Sequence, residues 1–341
     1  MKPNYVTIKD IAKYLNVSVS TVSRAFNDKY DVKKETRDLI LDTAKKFNYV
    51  PNPIAKKLIQ RRTNTIGVVV PEFTRSFFPK VFSGIQHFFD KNNYQVVLMQ
   101  ASEHYNKELE ILHTLHDNMV DGIIISLTKE TTNIDYINKI IQEGMPVVLI
   151  NRVNNDILAP KVLFDDYKWA FFATEHLIYN GYKNIIHFST PLSLSLSHKR
   201  IAGFKDALSK HNLVFNEDQV IEANLVIETG ELLTEKLISQ NRNFDAIFGS
   251  CDRTAIGAIK ALKKHHFRIP DDIGVIGFSE SSLATVVEPN LTSVEQPTFQ
   301  MGEKAAEILW EMITSEKYLK QEEFVLSGKI NVRESTTKNH K

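Results

Sequence analysis

The apolar positions Ile8, Ile11, Ala12 and Leu15 recur at helical spacing, Asn16-Val17-Ser18 interrupts them, and Val22 and Phe26 then resume the pattern. This predicts two short helices joined by a tight turn. Thr7, with Asp10 three residues on, can cap the first helix, and Ser18 can cap the second. If Val22 and Phe26 face inward, Val19, Ser20, Ser23 and Arg24 are left on the outer side. A third helix is predicted over residues 31–47, with Ile40, Ala44 and Phe47 on one stripe that completes a three-helix core. Beyond it, Asn52 can cap and Pro53 can open one more short helix through Leu58. So short a helix is marginal in water and is expected to form only against a binding partner and a second copy of the chain.

From Thr65 the pattern changes to short β-rich runs alternating with amphipathic helical stretches. Strands are predicted at residues 66–70, 95–99, 122–126, 147–150, 184–188, 246–249 and 273–278, an order that reads as parallel α/β. One sheet of that size would be unusual, so the polar interval 151–160 is expected to mark the crossing into a second lobe. Ligands of open α/β sheets lie beyond the carboxyl ends of the strands, which directs attention to the residues that follow each run.

Charge divides the chain at the same place. Residues 1–62 hold 14 Lys plus Arg against 6 Asp plus Glu, roughly +8, and the rest holds 28 against 35, roughly −7. A basic module of this kind releases counterions from a phosphate backbone. The outer face of the second helix suits a major groove: Arg24 can pair with guanine, the hydroxyls can bond bases or phosphates, and Val19 can touch a thymine methyl. Lys56 and Lys57 can face phosphates. The single Cys251 excludes an internal disulfide framework, which agrees with a cytoplasmic location. The first residues lack the apolar run of a secretory signal, and no stretch is long and apolar enough for a transmembrane helix.

The chain resembles LacI/GalR-family transcriptional regulators over nearly its whole length. The match rests on Val-Thr-Ile-Lys-Asp-Ile-Ala at residues 6–12, Val-Ser-Val-Ser-Thr-Val-Ser-Arg-Ala at 17–25 and Tyr-Val-Pro-Asn-Pro-Ile-Ala at 49–55. It continues with Thr-Ile-Gly-Val-Val-Val-Pro at 65–71 and Arg-Ile-Ala-Gly-Phe at 200–204. The resemblance implies an N-terminal all-α helix-turn-helix head with a hinge helix, followed by an α/β two-lobed, periplasmic-binding-protein-like (type I) effector domain. Its expected divisions are a head at 1–50, a hinge and linker at 51–64, an effector-binding and dimerisation domain at 65–335 and a flexible tail at 336–341. A late return to the first lobe near residues 290–314 is implied as well. Val19, Ser20 and Arg24 match the base-reading positions, and Leu58 matches a leucine that wedges into the minor groove, where paired wedges share the cost of bending DNA. Thr7, Ser18, Thr21, Ser23, Asn27, Tyr49, Asn52, Ala55 and Lys56 complete the expected DNA-binding set.

The effector-site candidates are Phe77, Phe78, Arg152, Arg200, Asp252 and Ser279. The aromatics of Arg75-Ser76-Phe77-Phe78 can stack on a sugar or base face, or Phe78 can simply be core. Arg200 resembles the family's effector-binding arginine, with a surface salt bridge as its alternative. Asp252 can cap the following helix while facing the cleft. Three positions depart from the family pattern: Ser279 stands where many relatives carry Asp, Cys251 where Asn is common, and Arg152 adds a cation. These changes favour an acidic or phosphorylated sugar, unless Glu280 restores the charge.

The expected function is therefore a cytoplasmic, homodimeric regulator that binds an inverted-repeat DNA operator. It would repress a carbohydrate-utilisation operon under control of a sugar-like effector, with no cofactor and no membrane partner. A ligand-dependent activator or corepressor-dependent repressor is the alternative. No nucleophile elbow, phosphate-cradling loop or zinc spacing points to an enzyme. His113 and His116, near Glu110 and Asp117, could hold a metal but read more simply as an exposed helix face. A periplasmic sugar-binding protein would match residues 66 onward, but not the basic head.

Overall fold

A computed structural model describes residues 6–26, 32–49, 62–315 and 321–338. The chain divides into one unit at residues 1–63 and a second at 64–341.

The first unit contains α1 (Ile8–Leu15), α2 (Val19–Phe26) and α3 (Lys34–Lys46). Asn16 takes a left-handed φ of 51°, which ends α1, and the Val17 N–H donates to the Ala12 carbonyl at 3.0 Å to close the turn. At the other end of α1 the Asp10 carboxylate reaches back to accept from the Thr7 N–H (2.8 Å) and hydroxyl (2.7 Å), and these bonds hold its pKa below the ordinary value. Ser18 caps α2 by accepting from the Thr21 N–H at 3.0 Å. Ile11, Val22 and Ile40 are fully buried and bring the three helices together. The third helix starts at Lys34, and of its expected stripe Ile40 and Ala44 are buried while Phe47 is half-buried.

The second unit holds two six-stranded sheets. One contains β1 (Thr65–Val70), β2 (Gln95–Gln100), β3 (Gly122–Ile125), β4 (Val147–Ile150), β5 (Lys161–Phe164) and β11 (Glu323–Leu326), in the order β11-β5-β4-β3-β1-β2, all parallel. The other contains β6 (Ile185–Ser189), β7 (Val220–Glu222), β8 (Ala246–Gly249), β9 (Gly274–Phe278), β10 (Thr292–Glu295) and β12 (Lys329–Asn331), in the order β12-β10-β9-β8-β6-β7. Among the described residues only β12 runs antiparallel to its neighbour. The inner strands β3, β4, β8 and β9 are buried along their whole length, as expected of parallel sheets covered on both faces.

Among the described residues, eight α-helices accompany the sheets: α4 (Phe77–Asp90), α5 (Tyr105–Asp117), α6 (Asp135–Gln142), α7 (Asp166–Tyr179), α8 (Ser195–Lys210), α9 (Ile227–Ser239), α10 (Asp252–Lys264) and α11 (Thr298–Ser315). Helices α4 and α11 meet at backbone distance. A Cβ on Gly302 would lie 2.0 Å from the Val81 carbonyl oxygen, and one on Gly84 would lie 2.1 Å from that of Phe299.

Two expectations need correction. The polar interval 151–160 does not carry the chain into the second lobe, because β4 and β5 pair in the same sheet. The crossing comes at Asp165, whose side chain accepts from the Lys168 N–H at 3.1 Å and starts α7. The chain returns between β10 and α11, within the expected region, and crosses again between β11 and β12. The tail is also not free at 336. Ser335 and Thr336 are fully buried: the Ser335 hydroxyl donates to the Val275 carbonyl at 2.6 Å, and the Thr336 hydroxyl lies 2.7 Å from that of Thr292 and 2.8 Å from His176 Nε2.

Candidate functional site: recognition helix and interlobe cleft

On the head, Val19, Ser20 and Arg24 project from α2 as exposed side chains, while Val22 and Ala25 face the core. The pattern needs no tertiary explanation: a helix of eight residues with apolar positions three apart buries one face and exposes the other. Thr7 and Ser18 are exposed but engaged in capping, and Thr21 and Ser23 are half-buried at the edge of the helix face. Tyr49 packs its ring 5.4 Å from that of Phe26, at the rim of the head core. Asn27, Asn52, Ala55, Lys56 and Leu58 lie outside the described residues, and with them the expected hinge helix.

In the second unit a cleft opens at the carboxyl ends of the strands, and all six effector candidates line it. The loop after β1 builds one wall. The Glu72 carboxylate accepts from the Thr74 N–H and hydroxyl (both 2.9 Å) and from the Arg75 N–H (3.1 Å), folding the loop tightly. It also pairs with the Arg75 guanidinium at 2.9 Å. Phe77 and Phe78 then begin α4 edge to face, with ring centroids 5.0 Å apart. Phe78 is 2 % exposed and belongs to the core as well as to the wall, whereas Phe77 is half-buried.

Arg200, on α8, is fixed on three sides. Its guanidinium donates through Nε to the Asp166 carboxylate and through Nη1 to the Ser250 carbonyl (2.7 Å each), Nη2 lies 2.7 Å from the same carboxylate in an ion pair, and the group lies 3.8 Å above the Phe278 ring. Both members of the ion pair are buried, so the surface salt-bridge alternative does not apply. An arginine carries five N–H donors, so the clamp leaves donors on Nη1 and Nη2 for a ligand in the cleft.

Asp252 is the first residue of α10, not its cap, a position that falls to Cys251. Its buried carboxylate instead accepts from the Ser293 hydroxyl at 2.5 Å and from the Ser281 N–H, tying α10 to the ends of β9 and β10. Burial pushes its pKa up to about 6. Ser279 follows β9 at a φ of 90°, a backbone region unfavourable for a side chain, and is held by its N–H donating to the Val294 carbonyl at 2.8 Å. Its hydroxyl donates to Gln296 Oε1 at 2.9 Å. Glu280 does not replace the missing aspartate, because its carboxylate is bound by Arg333.

The expected positive cleft is not what the ion pairs produce. Arg152 follows β4 as predicted, but its guanidinium meets the Glu103 carboxylate. Arg75 has Glu72 and Arg200 has Asp166, while Arg253, for which no ion pair occurs among the described residues, stands beside the carboxylate of Asp252 in sequence. Three of the four cations thus meet carboxylates.

Residue-level reading missed Ser250, Arg253, Phe278 and Gln296, which also line the cleft. Ser250 and Phe278 sit at the ends of recognised strands and could have been found by that rule. Gln296 follows β10, which was not recognised. Ser250 Oγ and Gln296 Nε2 are buried with no partner among the described residues, and so remain available to a ligand.

Elsewhere, His113 stacks on Tyr136 with ring centroids 3.9 Å apart, and His116 lies 3.4 Å from the Tyr136 hydroxyl and 3.6 Å from Glu143. Among the described residues no helix is long and apolar enough to cross a membrane.

Residues 7–52 match the family described as bacterial regulatory proteins, lacI family, and residues 63–330 match the periplasmic binding proteins and sugar binding domain of LacI family. The chain is 32 % identical to catabolite control protein A of Priestia megaterium over 312 residues, covering 91 % of this chain and 93 % of that one. It is 32 % identical to the ribose operon repressor of Halalkalibacterium halodurans, covering 97 % of each. Among solved structures, the transcriptional regulator CelR–cellobiose complex superposes with a TM-score of 0.74 at 26 % identity, covering 97 % of this chain and 99 % of that one. A helix-turn-helix head followed by two α/β lobes around a cleft, matched along almost its whole length, places this chain in the LacI family of DNA-binding bacterial transcription regulators, which are not enzymes.

Proposed function

We propose that this protein is a cytoplasmic, homodimeric repressor of a carbohydrate-utilisation operon. It binds an inverted-repeat operator, and a small sugar-like effector in the interlobe cleft sets its affinity for DNA. Arg24, Val19 and Ser20 read base edges, and the hinge leucine Leu58 wedges the centre of the site. The observation that carries the effector assignment is the clamp on Arg200. A guanidinium fixed by Asp166, Ser250 and Phe278 presents its remaining donors to the cleft at little further cost in side-chain entropy, beside the half-buried ring of Phe77. An aromatic face with fixed donors suits a polyhydroxylated ring, and the neutralisation of Arg75, Arg152 and Arg200 by carboxylates favours a neutral one. The names of relatives agree with this reading, since one is a ribose operon repressor and a structural neighbour is a cellobiose complex.

The alternative in which ligand secures the protein on DNA uses the same cleft. Either sign requires only that ligand bind two conformations unequally. Sequencing DNA fragments retained by the pure protein, with and without a saccharide panel, tests both. Enrichment of an inverted repeat that a saccharide releases supports repression by an inducible protein, enrichment only with the saccharide selects the corepressor form, and enrichment of no repeat rejects the operator assignment.

A further inference from the structure

Three contacts converge on one exposed oxygen at the start of α2. Ser18 Oγ lies 3.0 Å from the backbone nitrogen of Thr21, which it caps, 2.7 Å from the Thr21 hydroxyl and 2.7 Å from the Ser20 hydroxyl. A serine hydroxyl has two acceptor sites and one hydrogen, and the Thr21 N–H takes one of the acceptor sites. Ser18 therefore accepts from one of the neighbouring hydroxyls and donates to the other, and just one of that pair keeps a hydrogen for a partner outside the group. Burial decides which. Thr21 is half-buried and Ser20 is exposed, so the spare hydrogen costs least on Ser20, where an outside acceptor can reach it. Donation then runs from Thr21 to Ser18 and from Ser18 to Ser20.

We propose that Ser18 is a specificity-determining residue that reads no base itself and instead orients the Ser20 hydroxyl as a hydrogen-bond donor to DNA. This rests on the reading above that Ser20 faces base edges, as one of the exposed side chains of α2 with Val19 and Arg24. A donor hydroxyl bonds to guanine N7 or O6, thymine O4 or adenine N7, and it rejects cytosine, whose major-groove edge presents only the N4 amino donor. An unoriented hydroxyl accepts as readily as it donates and discriminates little. The residue that caps the recognition helix thereby also sets its choice of base.

The test is selection from random duplexes with the full-length protein and its Ser18 and Ser20 variants. Ser20→Ala is expected to flatten one position of each half-site, which identifies the base that Ser20 meets. At that position the wild type should disfavour cytosine by about fivefold relative to guanine or thymine. Ser18→Thr keeps the hydroxyl and should keep this preference. Ser18→Asp keeps the cap but can only accept, so the Ser20 hydrogen turns inward, its oxygen is left as an acceptor, and the preference should reverse toward cytosine by about fivefold. The added carboxylate repels the phosphates of every sequence alike and leaves this ratio untouched. Ser18→Gly also supports a helix start but has no hydroxyl, so it should lose the preference in both directions, and it carries the test if circular dichroism shows that the aspartate variant has lost helix. An aspartate or glycine profile identical to wild type would show that Ser18 caps α2 and does nothing more. A wild type that favours cytosine would show that the hydrogens run the other way. Each of these overturns the proposal while Ser20 remains a base reader. A motif unchanged by Ser20→Ala would remove Ser20 from the base contacts, and the proposal would fall together with that reading.

Discussion

A single guanidinium nitrogen of Arg152 reaches both carboxylate oxygens of Glu103 at 2.9 Å, and the two residues lie 49 apart in the chain. Arg152 is 6 % exposed and lines the cleft, so this pairing sets the charge of that wall. Glu103→Gln leaves a buried cation without its counter-charge, at a cost of about 1–3 kcal/mol in stability given that the Glu103 side chain is partly exposed. The same change should shift ligand preference toward acidic sugars by several-fold, which competition calorimetry with glucose and glucose 6-phosphate would read. An unchanged preference would show that Arg152 does not face the ligand.

Arg200→Met should keep operator binding and lose the response to effector, with binding weakened by about 100-fold or more. It should also cost about 3 kcal/mol, because the Asp166 carboxylate loses its partner in a buried site. The double variant Arg200→Met/Asp166→Asn separates the two effects: thermal stability should largely return, and the effector response should not. Recovery of both in a band-shift assay would show that Arg200 acts on folding alone.

His187 and Asp252 give opposed pH dependences. His187 is fully buried on β6, stacked 4.3 Å from Phe248, and burial lowers its pKa to about 4. The unfolded chain binds that proton near 6.5, so this contribution to stability is complete above pH 6.5 and is lost as the pH falls toward 4. The Asp252 pKa is raised to about 6 from 3.8, so its contribution is complete below pH 3.8 and is lost as the pH rises through 6. Each amounts to about 3 kcal/mol, and over pH 4–6 they nearly cancel. Relative to wild type, His187→Phe should therefore lose stability with rising pH across this window and Asp252→Asn should gain it. Urea denaturation at pH 4, 5, 6 and 7 gives the two slopes, and parallel curves for both variants would refute the assignment.

Gly302→Ala should destabilise the first lobe by about 1–3 kcal/mol, because its methyl group would need the space of the Val81 carbonyl. Differential scanning calorimetry would check it. An unchanged melting temperature would mean that α4 and α11 separate without penalty.

Arg24→Ala should cost about 1–3 kcal/mol of base discrimination at one position of each half-site, since the exposed guanidinium lies on the face of α2 opposite Val22 and Ala25. Leu58→Ala should reduce DNA bending while leaving effector affinity unchanged. Selection from random duplexes reads the first, and a circular-permutation bending assay reads the second. A selected motif identical to wild type would restrict Arg24 to phosphate contact.

What the chain determined by itself is local. The Thr7–Asp10 cap, the turn at Asn16 and the Ser18 cap each involve residues within five positions of one another, so the helix-turn-helix could be read directly. The buried inner strands were legible because parallel sheets demand unbroken apolar runs, and the rule that sites follow strand ends directed attention to residues that line the cleft, with Arg200 added by the family resemblance. The tertiary structure decided what depends on distant partners. Strands β5 and β11 are four residues each and open with Lys161 and Glu323, and they become strands by pairing with distant segments, β5 with β4 and β11 with β5; the lobe crossing was therefore misplaced. Asp252 turned from a cap into a tie because Ser281 and Ser293 approach it from other elements, and the polar tail was buried because Val275 and Thr292 accept and donate to Ser335. The charge of the cleft belongs to the same class, since periodicity shows where a cation lies but only folding brings Glu103 to Arg152 and Asp166 to Arg200.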